Sequence, residues 1–267
     1  MKKIAVGIIS AVLLAITLVP SQAATEKSLV IIDSYFDSRV YNENVSCITV
    51  TNAKCTDVAK VTTNMPSAEV NHGNAMAEVA KKQHSSLSII LLRSTTPGAK
   101  TVDSVNAGNF IDALNWVNSN SSKVGAVSVS RYFNGNKACS PATTNTAAHG
   151  GVRGADDKIR SLIANLKSKG IPVFVSTGNK PGKKIDYPAC ITDTVSVGTG
   201  ELNSSGVLVS VNALDENTDY VASSNLYSYN SSVFGLIPQT TSSATVAVAA
   251  QWLKTGSLSN KVVQVTP

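Results

Sequence analysis

The chain has 267 residues, of which 43% are apolar and 15% charged, with 23 Lys and Arg against 17 Asp and Glu. It is too apolar and too weakly charged to be disordered, and long enough for one α/β domain with a sizeable core. Its formal charge of +6 is mild and comes with no Lys/Arg cluster interleaved with aromatics, so the sequence offers no nucleic-acid-binding surface.

In chain order, Lys2 and Lys3 precede an apolar run from Ile4 to Val19, and Pro20-Ser21-Gln22-Ala23 supplies small residues where a signal peptidase reads. Residues 1–23 are therefore predicted to be a secretory signal peptide. The run is short for a bilayer span, so no stable membrane anchor is expected after cleavage. Removal of the two lysines would lower the net charge to +4, and residues 24–267 are predicted to form a single domain in a secreted or periplasmic protein.

The mature chain alternates in kind. Apolar, β-branched runs at 28–32, 87–92, 124–130, 171–176 and 194–198 read as buried strands. Helical spacing of apolar residues predicts helices at 72–83 and 107–118. A third is predicted at 155–168, with Asp156 and Asp157 in its first turn and Gly170 beyond its end. The stretch 243–254 is almost wholly apolar and small, which predicts a buried last helix. This alternation predicts an α/β fold, a mostly parallel sheet with helices on both faces, whose functional groups gather at the carboxyl ends of strands. Residues 133–153 and 213–235 are polar and carry no clear period.

Cys47, Cys55, Cys139 and Cys190 are even in number and include no C-x-x-C pair, so in an exported protein they predict two disulfides rather than a zinc site. Three connectivities are open. Cys47–Cys55 with Cys139–Cys190 is favoured, because the alternatives join segments expected to lie far apart.

Four residues stand where chemistry is done. Asp33 ends the run Leu29-Val30-Ile31-Ile32, His72 opens a buried helix, Asn179 ends Ser176-Thr177-Gly178-Asn179 after a strand, and Ser242 opens the last helix. Each has an ordinary role as well: turn, structural histidine, turn, helix cap.

Their order and neighbours make the sequence resemble the subtilisin-like serine proteases. Val30-Ile31-Ile32-Asp33-Ser34 resembles that family's strand ending in Asp-Ser/Thr-Gly, and His72-Gly73-Asn74-Ala75-Met76-Ala77 its His-Gly-Thr-His-Val-Ala. Ser176-Thr177-Gly178-Asn179 is similar to Ala-Ala-Gly-Asn, and Thr240-Thr241-Ser242-Ser243-Ala244-Thr245-Val246 to Gly-Thr-Ser-Met-Ala-Thr-Pro. Tyr187-Pro188-Ala189 matches a Tyr-Pro-Ala stretch before a Val-rich strand. The resemblance covers about residues 27–254.

It implies a three-layer subtilisin-like fold and a serine endopeptidase acting on a polypeptide substrate. Ser242 would be nucleophile, His72 general base and then acid, Asp33 the residue that orients the imidazole, and Asn179 an oxyanion donor. Ser130, Arg131 and Tyr132 would pair with the extended substrate, and Ser176, Thr177 and Gly178 would line the pocket for the side chain before the scissile bond. Tyr132 stands where the family has Gly, which predicts a narrowed pocket. No catalytic cofactor or metal is implied. Structural calcium is a family trait, with Asp186 and Asp193 as possible ligands or ordinary surface residues.

Thr240, Tyr35 and Asn74 replace a Gly, a Gly and a Thr of the motifs, and Val246 a Pro. The first predicted strand follows the cleavage point closely, leaving no room for a pro-domain and implying folding unaided or with a separate partner. A catalytically weak peptide-binding module on the same fold is the alternative reading. An α/β-hydrolase esterase is disfavoured, since Gly-x-Ser-x-Gly is absent.

Overall fold

The computed structural model describes residues 27–33, 36, 45–49, 72–94, 107–130, 155–180, 185–203, 208–210, 218–223, 227, 229–231, 235–237, 240–257 and 262–264. Residues 1–23, Cys55, Arg131, Tyr132 and Cys139 lie outside them, and with them the signal-peptide expectation, one cysteine of each expected disulfide and part of the expected substrate edge. Cys47 and Cys190 are described, and neither is a free thiol.

Seven strands run parallel: β1 (Ser28–Asp33), β2 (Val45–Thr49), β3 (Ile89–Arg93), β4 (Val124–Val129), β5 (Val173–Ser176), β6 (Val195–Leu202) and β8 (Tyr220–Ser223). They lie in the order β2-β3-β1-β4-β5-β6-β8. Two strands are antiparallel to their neighbours, β7 (Leu208–Ser210) on β6 and β11 (Val262–Gln264) on β8. A separate hairpin pairs β9 (Tyr229–Ser231) with β10 (Gly235–Ile237).

Among the described residues four α-helices cover the sheet: α1 (His72–Gln83), α2 (Ala107–Ser119), α3 (Ala155–Ser168) and α4 (Thr241–Thr255). Alternation along the strands divides the core. Val30 and Ile32 of β1, Val127 and Val129 of β4, and Val173 and Val175 of β5 face one way and pack with Phe110 and Leu114 of α2 and Ile159 and Ile163 of α3. Leu29 and Ile31, Ala126 and Phe174 face the other way, onto Met76 and Val79 of α1 and Val246 to Ala250 of α4. Each fully buried Val, Leu, Ile or Phe contributes roughly 1.5–3 kcal/mol, so a strand buried on both faces explains the unbroken apolar runs in the sequence.

Strand order places the site. From β1 the chain moves outward to β2 and β3, then returns across β1 to β4 and onward to β5, β6 and β8. The reversal falls between β1 and β4. Helix α1 packs on one face and α2 and α3 on the other, and the chain leaves β1 and β4 toward opposite edges of the sheet, the arrangement that marks a crevice at their carboxyl ends.

The last helix is buried from Thr241 to Ala250. It is small-sided, so it packs close against the sheet, and Trp252 meets Phe174 of β5 with ring centroids 6.1 Å apart. Its far end presses on Gly125, where a Cβ would run into a Leu253 methyl and crowd Lys27.

The predicted helices match within two residues. Two differences have physical causes. Val45–Thr49 carries too short and mixed a pattern to declare a strand, yet it pairs with β3 at the sheet edge. The last helix begins at Thr241 rather than 243, because Thr240 is the N-cap and its side chain accepts from the Ser243 N–H at 3.3 Å. Ser242 therefore lies inside the first turn rather than at the cap.

Candidate active site

Asp33 is the last residue of β1, fully buried at the carboxyl end of the sheet. Its carbonyl accepts from the Ser94 N–H at 2.9 Å and the Ser94 hydroxyl at 3.1 Å, which fixes the backbone where the side chain departs. His72 opens α1, and its Nδ1 lies 2.7 Å from Asp33 Oδ2. A carboxylate can only accept, so the proton of the neutral ring sits on Nδ1 and leaves Nε2 as the basic nitrogen. The imidazole is about a quarter exposed while the carboxylate is not exposed at all.

Across the crevice stands the first turn of α4. Ser242 is 6% exposed. Its hydroxyl donates to the Ser130 carbonyl at 3.4 Å, and the Ser130 hydroxyl donates to the Ser242 carbonyl at 3.3 Å. Among the described residues Ser242 Oγ makes no hydrogen bond to His72. Ser130 immediately follows β4, so this reciprocal pair ties the helix to the strand beside β1.

Asn179, after β5, is oriented by Thr241. Its Oδ1 accepts from the Thr241 N–H at 2.9 Å and the Thr241 hydroxyl at 3.0 Å, which directs the amide NH2 along the opposite branch. The same Thr241 oxygen accepts from the Gly178 N–H at 3.2 Å. One hydroxyl thus joins the loop leaving β5 to the helix that carries Ser242.

His72, Ser130, Ser176, Gly178, Asn179, Lys180, Asp186, Thr241 and Ser242 line a single cleft of about 260 Å³. The expected site residues Asp33, His72, Asn179, Ser242, Ser130, Ser176 and Gly178 converge on the cleft or support it. Thr177 is buried behind it, bonded through its backbone to Val197 and Asp186.

Two lining residues were not among the sequence candidates, Thr241 and Lys180, and a third, Asp186, stood there only as a calcium ligand or surface residue. The Asp186 N–H donates to the Thr177 carbonyl at 2.9 Å, which folds this residue back over the loop leaving β5. Gly178 has φ +108°, a left-handed conformation that favours glycine, and a Cβ there would strike the Asp186 carboxylate. Burial holds the Asp186 carboxyl above its ordinary pKa, with partial relief from the positive charge of Lys180. Asp193, its expected companion, pairs instead with Lys167 at 2.8 Å. Among the described residues no group of three or more His, Cys, Asp or Glu is placed to hold a metal ion.

No family model and no curated protein matches the chain. Solved structures do match. The nisin leader peptidase NisP from Lactococcus lactis is 14% identical, with a TM-score of 0.57 over 88% of this chain and 80% of that one. The prenylagaramide maturation protease PagA is 12% identical with a TM-score of 0.55, over 89% and 80%. Pseudomonas sedolisin, a serine-carboxyl proteinase, is 14% identical with a TM-score of 0.55, over 86% and 75%. At such identities the likeness is one of fold, and the fold is subtilisin-like.

Proposed function

We propose that the protein is an exported serine endopeptidase that cleaves peptide bonds through Ser242, His72 and Asp33. The observation that carries this reading is the Asp33–His72 pair at 2.7 Å, whose imidazole faces the same cleft as Ser242 and Asn179. A serine hydroxyl is too weak an acid to attack an amide unaided, and a histidine held with Nε2 unprotonated is the base such attack needs. Rotation about the Ser242 Cα–Cβ bond would turn Oγ from the Ser130 carbonyl toward the imidazole. His72 would take the proton, the new tetrahedral oxyanion would receive the Asn179 amide and the Ser242 N–H, and His72 would return the proton to the leaving amine. Water would then release the acyl group by the same route. The leader peptidase and maturation protease among the similar structures support a peptide substrate.

Export by the predicted signal peptide and the pairing Cys47–Cys55 with Cys139–Cys190 belong to the same reading. Among the described residues no helix is long and apolar enough to cross a membrane.

The test is fluorophosphonate labelling, read by intact mass and peptide mapping, with His72→Ala as control. A stoichiometric adduct on Ser242 that disappears in the control is the expected outcome. One observation favours a second reading, a peptide-binding module of weak activity: the Ser242 hydroxyl is bonded to Ser130 instead of His72. A folded protein that takes up no label would establish that alternative.

A further inference from the structure

We propose that Asp186 makes the cleft selective for a cationic side chain, so that the accepted peptide places Lys or Arg against Ser176, Gly178 and Asp186. This rests on the reading of the cleft as a peptide site and names the class of peptide it takes.

The carboxylate belongs to the cleft wall and not to the outer surface: it shares the lining with Ser176, Gly178 and Ser242 and lies where a side chain at 178 would otherwise project. Its backbone N–H is spent on Thr177, and its side chain has no hydrogen-bond or ion-pair partner among the described residues. A half-buried anion without a partner bears a desolvation cost, visible as the raised pKa of the group. A cation entering the cleft offsets that cost; an apolar side chain increases it by stripping away the remaining water, and an acidic one adds repulsion. A guanidinium can meet a carboxylate through two parallel hydrogen bonds, which favours Arg over Lys. Lys180 also lines the cleft, exposed, and its charge acts on Asp186 without forming an ion pair among the described residues. It competes with an incoming cation and leaves when displaced.

Binding can be measured without chemistry. Protein carrying Ser242→Ala is titrated, by fluorescence anisotropy, with labelled peptide amides identical except for a final Arg, norleucine or Glu. The Arg peptide should bind at least about tenfold more tightly than the norleucine peptide, the scale of a hydrogen bond to a charged group, and the Glu peptide least tightly. Adding Asp186→Asn should abolish the Arg advantage, and Lys180→Gln should widen it. Equal binding of the three peptides, or an Arg advantage that survives Asp186→Asn, would overturn the proposal. Because no bond is broken, a selective cleft and a reactive serine are read separately: loss of labelling at Ser242 would refute the protease reading while leaving this result standing.

Discussion

The two sides of the cleft are built differently. On one side, Asp33 and His72 are already joined at 2.7 Å, each at the end of a regular element and backed by the sheet. On the other, Ser242 depends on contacts distant in sequence: Ser130 at 3.4 Å, and Thr241 bridging to Gly178 and Asn179. On the proposed reading the base is organised before substrate arrives, whereas the nucleophile rests on a strand-end carbonyl. Substrate that claims the Ser130 carbonyl for its own backbone would free the hydroxyl to turn, so binding and activation would be one event.

That contrast can be broken one side at a time. Asp33→Asn keeps the shape but favours the wrong tautomer of His72, so kcat for a peptide substrate should fall about 10⁴-fold at neutral pH. On the opposite side Asn179→Ala removes an oxyanion donor, and kcat should fall about 10²- to 10³-fold with KM little changed. Thr241→Val keeps the volume and deletes the bridging hydroxyl. It should lower kcat by about tenfold to a hundredfold through misplacement of Asn179, and a double-mutant cycle with Asn179→Ala should show the two losses to be non-additive. Additive losses would mean that Thr241 acts without Asn179. The smallest effect belongs to the cap: Thr240→Ala should cost about 1 kcal/mol of stability in a denaturant titration, and Thr240→Gly only a few tenths.

Asp33, His72, Ser242, Asn179 and the segments at Ser130 and Ser176–Gly178 were legible in the sequence, whereas the places of Asp186 and Thr241 in the cleft were not, for a physical reason. An apolar run ending in Asp33, or a helix opening on His72, is a local pattern whose period states its burial. The same holds for α3, where charges at both ends mark the boundaries. Asp186, by contrast, sits among Lys183, Lys184 and Tyr187, a stretch that reads as solvated loop. Only the hydrogen bond from its N–H to Thr177 brings it to the cleft. Thr241 looked like one more residue of a Thr/Ser-rich helix start, and its role appears only when β5 is placed beside α4. β2 escaped notice because an edge strand needs only five residues of modest pattern when a neighbour supplies the ladder.

The contact between Leu253 and Gly125 gives the last helix a second function, that of a spacer of set length. Ser242 and Leu253 are separated by 11 residues, about 16 Å along the axis. The helix meets β4 through Leu253 and Gly125 near one end and is joined through Thr241 to Gly178 and Asn179 near the other. On the proposed reading, side-chain size at position 125, near the start of β4 and far along the helix from Ser242, would bear on where the serine oxygen stands in the cleft.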